Sequence, residues 1–464
     1  MALSSRQKDR RHNRPLSLPA IQGGDAEMPI DRIGDVGVGT EAAYEVITSE
    51  LLLDGQARLN LATFVTTWMP ALGAKLMADT ADKNMIDKDE YPQTAEIEAR
   101  CVNILADLWN APEHTSATGC STTGSSEAAM LCGMALKWRW RARMEKAGKP
   151  TGKPNLVMGA NVQVCWEKFC RYWEVEPRMV PMEGETFHLT ADRAIAHCDE
   201  NTIGVVAILG STFDGSYEPV KEISEALDQF ESEKGIHIPV HVDGASGGFV
   251  APFLAPDLEW DFRLKRVQSI NASGHKYGLV YPGVGWAIWR DEAALPRDLV
   301  FNVNYLGGNM PTFALNFSRP GSEVVAQYFM FMSLGREGYT AMMQTLQDLA
   351  MHISETVAGM GPYRLISDGS ELPVFAFATN DDVKNYTVFD VSDRLRERGW
   401  LVPAYSFPEN RQDLSVLRVV VRAGMHREMA DELLDALAEK TKKLESLSAP
   451  LPEGVASTTA AFAH

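Results

Sequence analysis

The chain has 464 residues, 45% of them apolar and 23% charged, with a formal net charge of −18. This length exceeds the ~250–300 residues that one hydrophobic core organises, so at least two domains are expected. The acidic balance argues against a nucleic-acid partner, which demands a basic surface, and no stretch reaches the ~18 uninterrupted apolar residues of a membrane span.

Charge is unevenly spread. Residues 1–14 hold five bases and one acid. This arm reads as a solvated tail, with weak contact to anionic lipid as its other use. It has no apolar run behind it and does not read as a secretory signal. The six cysteines form no Cys-x-x-Cys pair and no zinc-spaced cluster, so we expect reduced thiols, a cytoplasmic location and no metal site.

Residues 1–60 read as an arm followed by a helix from about 41. Across 61–345 helical stretches alternate with short apolar strands at 155–158, 203–209, 238–242, 267–270 and 285–290. That pattern predicts an α/β fold with a mostly parallel central sheet flanked by helices. From 346 to 445 it changes to helix, strand, helix, strand, helix, a smaller C-terminal α+β domain. Residues 446–464, rich in Ala, Ser, Thr and Pro, read as a flexible tail.

Chemistry-bearing residues follow several of these strands. The first group is TGSSEAA (123–129), before a helix-forming stretch at 130–144. Free N–H groups at a helix start, with the hydroxyls of Ser125 and Ser126, make a phosphate site; read alone, they are helix caps. Gln163 could cover one face of a flat ligand, and Thr212 follows the strand at 203–209. Next comes IPVHVDGASGG (238–248), which delivers Asp243 at a strand end with the small Ala245 two residues on. Last is SINASGHKYG (269–278), where Ser273, His275 and Lys276 follow a further strand. Alone, Asp243 reads as a cap and Lys276 as a surface lysine. Together they meet the needs of pyridoxal 5′-phosphate. That cofactor requires a lysine for its aldehyde, a carboxylate for its ring nitrogen, donors for its phosphate and packing on its ring. Ligands sit outside the carboxyl ends of strands in α/β sheets, which is where these residues fall.

These segments resemble the fold type I pyridoxal-phosphate decarboxylases of the bacterial glutamate decarboxylase family. The resemblance continues through NLATF (60–64), IDKDEYP (86–92), KWRWRARMEKAGKP (137–150), CDENTIGVV (198–206), ASGGFVAPF (245–253), FNVNYLGG (301–308), NFSRPG (316–321) and LGREGYT (334–340). It implies decarboxylation of L-glutamate to 4-aminobutyrate and carbon dioxide with uptake of a proton. It assigns Lys276, Asp243, His275 and Tyr305 to catalysis. Arg422 would take the substrate α-carboxylate, and Thr63, Phe64 and Asp87 the distal end. Phe317 and Ser318 would reach the phosphate of a neighbouring subunit. A homodimer is then the minimal unit, with a hexamer by analogy. The family also implies acid resistance and a C-terminal plug at neutral pH, here through His464, the last residue. The alternatives are another pyridoxal-phosphate amino acid decarboxylase or carbon–carbon lyase, and a non-catalytic interaction module on the same fold. NLATF and IDKDEYP favour glutamate, and the complete cofactor set argues against the module.

Overall fold

The computed structural model describes residues 31–35, 37–303 and 310–447. The chain divides into two compact units, residues 1–56 and 57–464. Among its described residues the first unit holds one helix, Thr40–Leu51. Tyr44, Ile47, Leu51, Leu52 and Leu53 are exposed on or just after it.

The second unit is built on a seven-stranded sheet of β1 (Gly119–Thr122), β2 (Asn155–Gly159), β3 (Glu176–Val180), β4 (Thr202–Ile208), β5 (Val240–Asp243), β6 (Val267–Ala272) and β7 (Gly285–Trp289). Their order is β1-β7-β6-β5-β4-β2-β3. The pairs β2–β3, β2–β4, β4–β5 and β5–β6 are parallel, and β7 runs antiparallel to both β6 and β1. Strands β2, β4, β5, β6 and β7 are buried along their whole length. Continuous apolar runs covered on both faces are the signature of such a sheet. Helices Ser125–Lys146, Val164–Tyr172, Ala191–Ala196 and Val220–Lys234 supply crossovers.

All five strands expected from apolar runs are present, with ends moved by one or two residues. The two additional strands, β1 and β3, lie at the sheet edges. β3 contains Pro177 and charged Glu176 and Arg178, and most of it is not buried. Edge strands tolerate proline and charge because one side of the ladder is open, so hydrophobicity does not mark them.

A short hairpin, β8 (Phe301–Val303) with β9 (Met310–Thr312), precedes a 37-residue helix, Ser322–Ala358, that breaks at Gly335 (φ 59°, ψ −173°). Then comes an antiparallel sheet of β10 (Tyr363–Leu365), β11 (Val374–Thr379), β12 (Ala404–Ser406) and β13 (Ser415–Val420), in the order β10-β11-β13-β12. Helices Val388–Arg396 and Arg427–Glu445 accompany it. No described helix is long and apolar enough to cross a membrane.

Candidate active site

The parallel strands end on one side of the sheet, and their connecting turns meet there. After β6 the chain turns through Ser273, His275 and Lys276. After β5 it turns through Asp243, Ala245 and Ser246. The turns are locked together: the Ser273 N–H donates to the Ala245 carbonyl at 3.1 Å. Lys276 Nζ lies 3.3 Å from Ser246 Oγ and 5.2 Å from the centroid of the Phe64 ring. Burial pushes the lysine ammonium below its ordinary value, against the pull of Asp243. A desolvated amine near a carboxylate is suited to carbonyl chemistry.

Asp243 is buried, and three N–H groups converge on it. Trp166 Nε1 donates to Oδ2 at 2.8 Å, while Asn271 Nδ2 and the Ala245 N–H donate to Oδ1 at 3.0 and 3.1 Å. A carboxylate has about four lone-pair sites, so one stays available for a further N–H such as a protonated ring nitrogen.

A second corner forms where β1 leads into helix Ser125–Lys146. Ser125 Oγ lies 2.7 Å from Ser273 Oγ, so hydroxyls from two distant segments meet at the helix start. Ser126 is the next residue of that helix and is exposed. His275 packs against the same corner. A Cβ on Gly124 would stand 2.8 Å from its Cε1, and a Cβ on Gly285 would stand 2.4 Å from the Gly124 carbonyl carbon. Only glycine fits at either place. His275 Nδ1 accepts the Gly283 N–H at 3.3 Å, which makes Nε2 the protonated nitrogen and a donor. Burial, helped by Lys276, pushes its pKa down to about 4, so the ring is neutral near pH 7. Two hydroxyls, a ring N–H and helix N–H groups fit a phosphate.

Gln163 immediately precedes the helix Val164–Tyr172, without a capping bond from its side chain, and the first turn of that helix sends Trp166 to Asp243. Thr212 follows β4, and its carbonyl accepts Arg418 Nη1 at 2.6 Å. Arg418 Nη2 reaches the Ala62 carbonyl at 2.5 Å, and its guanidinium lies 4.9 Å from the Phe64 ring and 5.5 Å from that of Tyr405. Thr63 Oγ1 accepts the Val65 N–H at 3.1 Å, and the Thr66 N–H donates to the His275 carbonyl at 2.7 Å. The 60–66 segment is thus fastened beside Lys276 from two directions. Arg422, two residues beyond β13, is buried. Its Nε donates to the Val65 carbonyl at 3.0 Å and its Nη2 to the Ala57 carbonyl at 2.7 Å. Burial pushes its pKa down to about 10.

Asp87 belongs to a second cluster. Asn84 Nδ2 bonds Asp87 Oδ2 at 2.9 Å and Ser318 Oγ at 3.3 Å, and the Arg319 N–H returns to Asn84 Oδ1 at 3.2 Å. Phe317 and Ser318 are exposed. Their segment is moored by buried Glu127, which accepts the Leu315 and Asn316 N–H groups at 2.9 and 3.3 Å and the Thr123 N–H at 2.8 Å. Tyr305 and His464 lie outside the described residues.

Sequence reading passed over Trp166, His241, Ser246, Asn271 and Arg418. For His241 and Asn271 a signal exists: polar residues at period two in β5 and β6 point to one face of an otherwise apolar sheet. For Trp166 and Arg418 none does, because they reach the site from other parts of the chain.

A family model described as the pyridoxal-dependent decarboxylase conserved domain matches residues 39–380. A glutamate decarboxylase of Aliivibrio fischeri is 58% identical over 394 residues, 84% of this chain and 85% of that protein. Glutamate decarboxylase beta of Listeria monocytogenes is 46% identical over 442 residues, 94% of this chain and 95% of that one. Among solved structures, Lactobacillus brevis glutamate decarboxylase superimposes with a TM-score of 0.88 at 44% identity, covering 91% of this chain and 96% of that chain. A sphingosine-1-phosphate lyase of Burkholderia pseudomallei, at 23% identity and a TM-score of 0.74, shares the fold.

Proposed function

We propose that this chain, which belongs to the pyridoxal-dependent decarboxylase family, converts L-glutamate to 4-aminobutyrate and carbon dioxide with uptake of one proton. The observation that carries this reading is the 58% identity to a glutamate decarboxylase across most of both chains. It is joined by the constellation of buried Asp243 and Ser273 with half-buried Lys276, His275 and Ser125.

Bound pyridoxal phosphate supplies the electron sink for the pair left on Cα when carbon dioxide departs. The residues of the chain supply the rest. Lys276 holds the cofactor covalently, and burial keeps its amine available as a nucleophile. Asp243 holds a proton on the ring nitrogen, with Trp166 and Asn271 fixing its carboxylate. Ala245 and Gln163 would pack on the ring, and Thr212 would serve its polar substituents. Ser125, Ser126, Ser273 and His275 hold the phosphate. Phe64 and Thr63 line the substrate side, braced by Arg418 and Arg422. Arg422 also offers its guanidinium to the α-carboxylate.

Asp87, Phe317 and Ser318 complete the site of a neighbouring subunit in a homodimer, a reading supported by the exposure of Phe317 and Ser318 and by their separate mooring through Asn84 and Glu127. Tyr305 is assigned to catalysis and His464 to regulation by the family resemblance. Residues 61–345 hold the cofactor and 346–445 the brace. A cytoplasmic location fits six free thiols. Further association to a hexamer, weak membrane contact of the basic arm and a role in acid resistance are parts of the same reading.

The test is an assay of 4-aminobutyrate release from glutamate by the cofactor-loaded protein between acid and neutral pH, with aromatic amino acids as competitors. Turnover of an aromatic substrate in preference to glutamate would overturn the assignment.

A further inference from the structure

Asp243 does not stand alone on its strand. Register pairs His241 with Ser269 and Asp243 with Asn271 across the parallel strands β5 and β6. Side chains two apart on a strand share a face, so these four form a square on the sheet, all buried. Asn271 Nδ2 donates to Asp243 Oδ1 at 3.0 Å, which turns the amide oxygen toward His241, 2.7 Å from its Nε2. An amide oxygen can only accept, so His241 Nε2 carries the proton. Nδ1 is then bare and accepts the Ser269 hydroxyl at 2.8 Å. The His241 ring also packs 5.0 Å from that of Trp166, the other side-chain donor to Asp243.

We propose that His241, acting as an Nε2–H donor, is a positioning residue that locks the Asn271 amide so that Asp243 stays a hydrogen-bond acceptor toward the pyridoxal-phosphate ring nitrogen. The proposal rests on the reading that Asp243 faces that nitrogen. Without the imidazole the amide is free to turn its oxygen to Asp243. Two acceptors would then face each other, a conflict relieved by protonating the carboxyl. A neutral carboxyl holds a pyridinium far less firmly. Burial pushes the imidazole well below its ordinary value, so no second proton arrives at Nδ1 to displace the Ser269 bond in mildly acidic solution.

The experiment reads the ring nitrogen directly. The full-length wild type, His241→Leu, His241→Gln, Ser269→Ala and Asp243→Asn are loaded with pyridoxal phosphate carrying 15N in the ring, and its chemical shift is followed across pH without substrate. We expect His241→Leu to lower the proton affinity of the ring nitrogen about tenfold, the scale of one charge-assisted hydrogen bond. Gln should restore the wild-type signal, because its amide N–H can replace Nε2–H. Ser269→Ala, which frees the tautomer and leaves packing nearly intact, should shift the signal in the same direction by less. If the Leu variant does not fold, Ser269→Ala carries the test. Wild-type signals in Ser269→Ala and any folded His241→Leu, beside a shifted Asp243→Asn, overturn the role of His241 and leave Asp243 in place. An unshifted Asp243→Asn overturns the placement of Asp243 itself.

Discussion

Ser125 and Ser273 stand 148 positions apart in the chain, yet their hydroxyl oxygens are 2.7 Å from one another. One belongs to a helix start and the other to a strand end, so this pair joins the two halves of the proposed phosphate corner. Each hydroxyl should contribute a hydrogen bond to a charged group, worth about 1.5–3 kcal/mol. Ser125→Ala and Ser273→Ala should each weaken cofactor binding about 10- to 100-fold, measured by equilibrium titration with pyridoxal phosphate. Affinities equal to wild type in both would move the phosphate elsewhere.

Lys276→Ala should abolish the visible absorbance of covalently held cofactor and reduce turnover about a thousandfold or more, as loss of the covalent group does elsewhere. The spectrum is decisive. A variant with the wild-type band would show that another amine holds the cofactor.

Asp243→Asn should still bind the cofactor but turn over about 100- to 1,000-fold more slowly, the scale of removing one preorganised electrostatic partner. Its new amide would also confront the N–H groups of Trp166 and Asn271, which now point at a carboxylate. Steady-state kcat at saturating cofactor is the measurement, and an unchanged kcat would remove Asp243 from the mechanism.

Arg422→Lys separates a brace from a spectator. A single ammonium cannot span the Val65 and Ala57 carbonyls that Arg422 now joins. The 57–65 segment should loosen, and the glutamate KM should rise about tenfold or more while cofactor affinity changes little. Kinetics at several glutamate concentrations, with a parallel cofactor titration, check this. Equal KM values would leave Arg422 neither ligand nor brace.

Glu218 carries a pH signature of its own. It is buried, and the N–H groups of Leu189, Ile208 and Asn161 point at it from 2.8, 2.7 and 3.0 Å. Burial nevertheless pushes its pKa up to about 7, from an ordinary value of 4.5. The native state therefore binds more protons than the unfolded chain between those values. Its contribution to stability is full below pH 4.5 and is lost as pH rises through 7, on the order of 3 kcal/mol. Buried Asp214, raised for the same reason, adds in the same direction. Urea unfolding at a series of pH values should show a shallower slope for Glu218→Gln between pH 5 and 7. An identical slope would place the titration on other groups.

How much of this was legible in the sequence depended on whether a residue's role is local. Strands β2, β4, β5, β6 and β7 are buried along their whole length, so each carries a core of apolar residues and each announces itself. Asp243 and Lys276 follow directly from such elements, at strand ends where ligands gather, and Ser125 is marked instead by the helix start it occupies. Edge strands β1 and β3 are only partly covered and carry polar residues and proline, so the same reasoning was silent about them.

What the sequence by itself determined is the fold class, the cofactor and the family, because these depend on burial pattern and on short segments whose chemistry is local. Tertiary structure alone decided what stands behind the reacting groups. Trp166 and Asn271 reach Asp243 from a helix and a neighbouring strand. Arg418 binds carbonyls at residues 62 and 212, and Asn84 ties Asp87 to Ser318 rather than to the Lys276 turn. Each is a contact between segments far apart in the chain. It is set by strand order, register and the direction of a side chain, none of which leaves a mark on local composition.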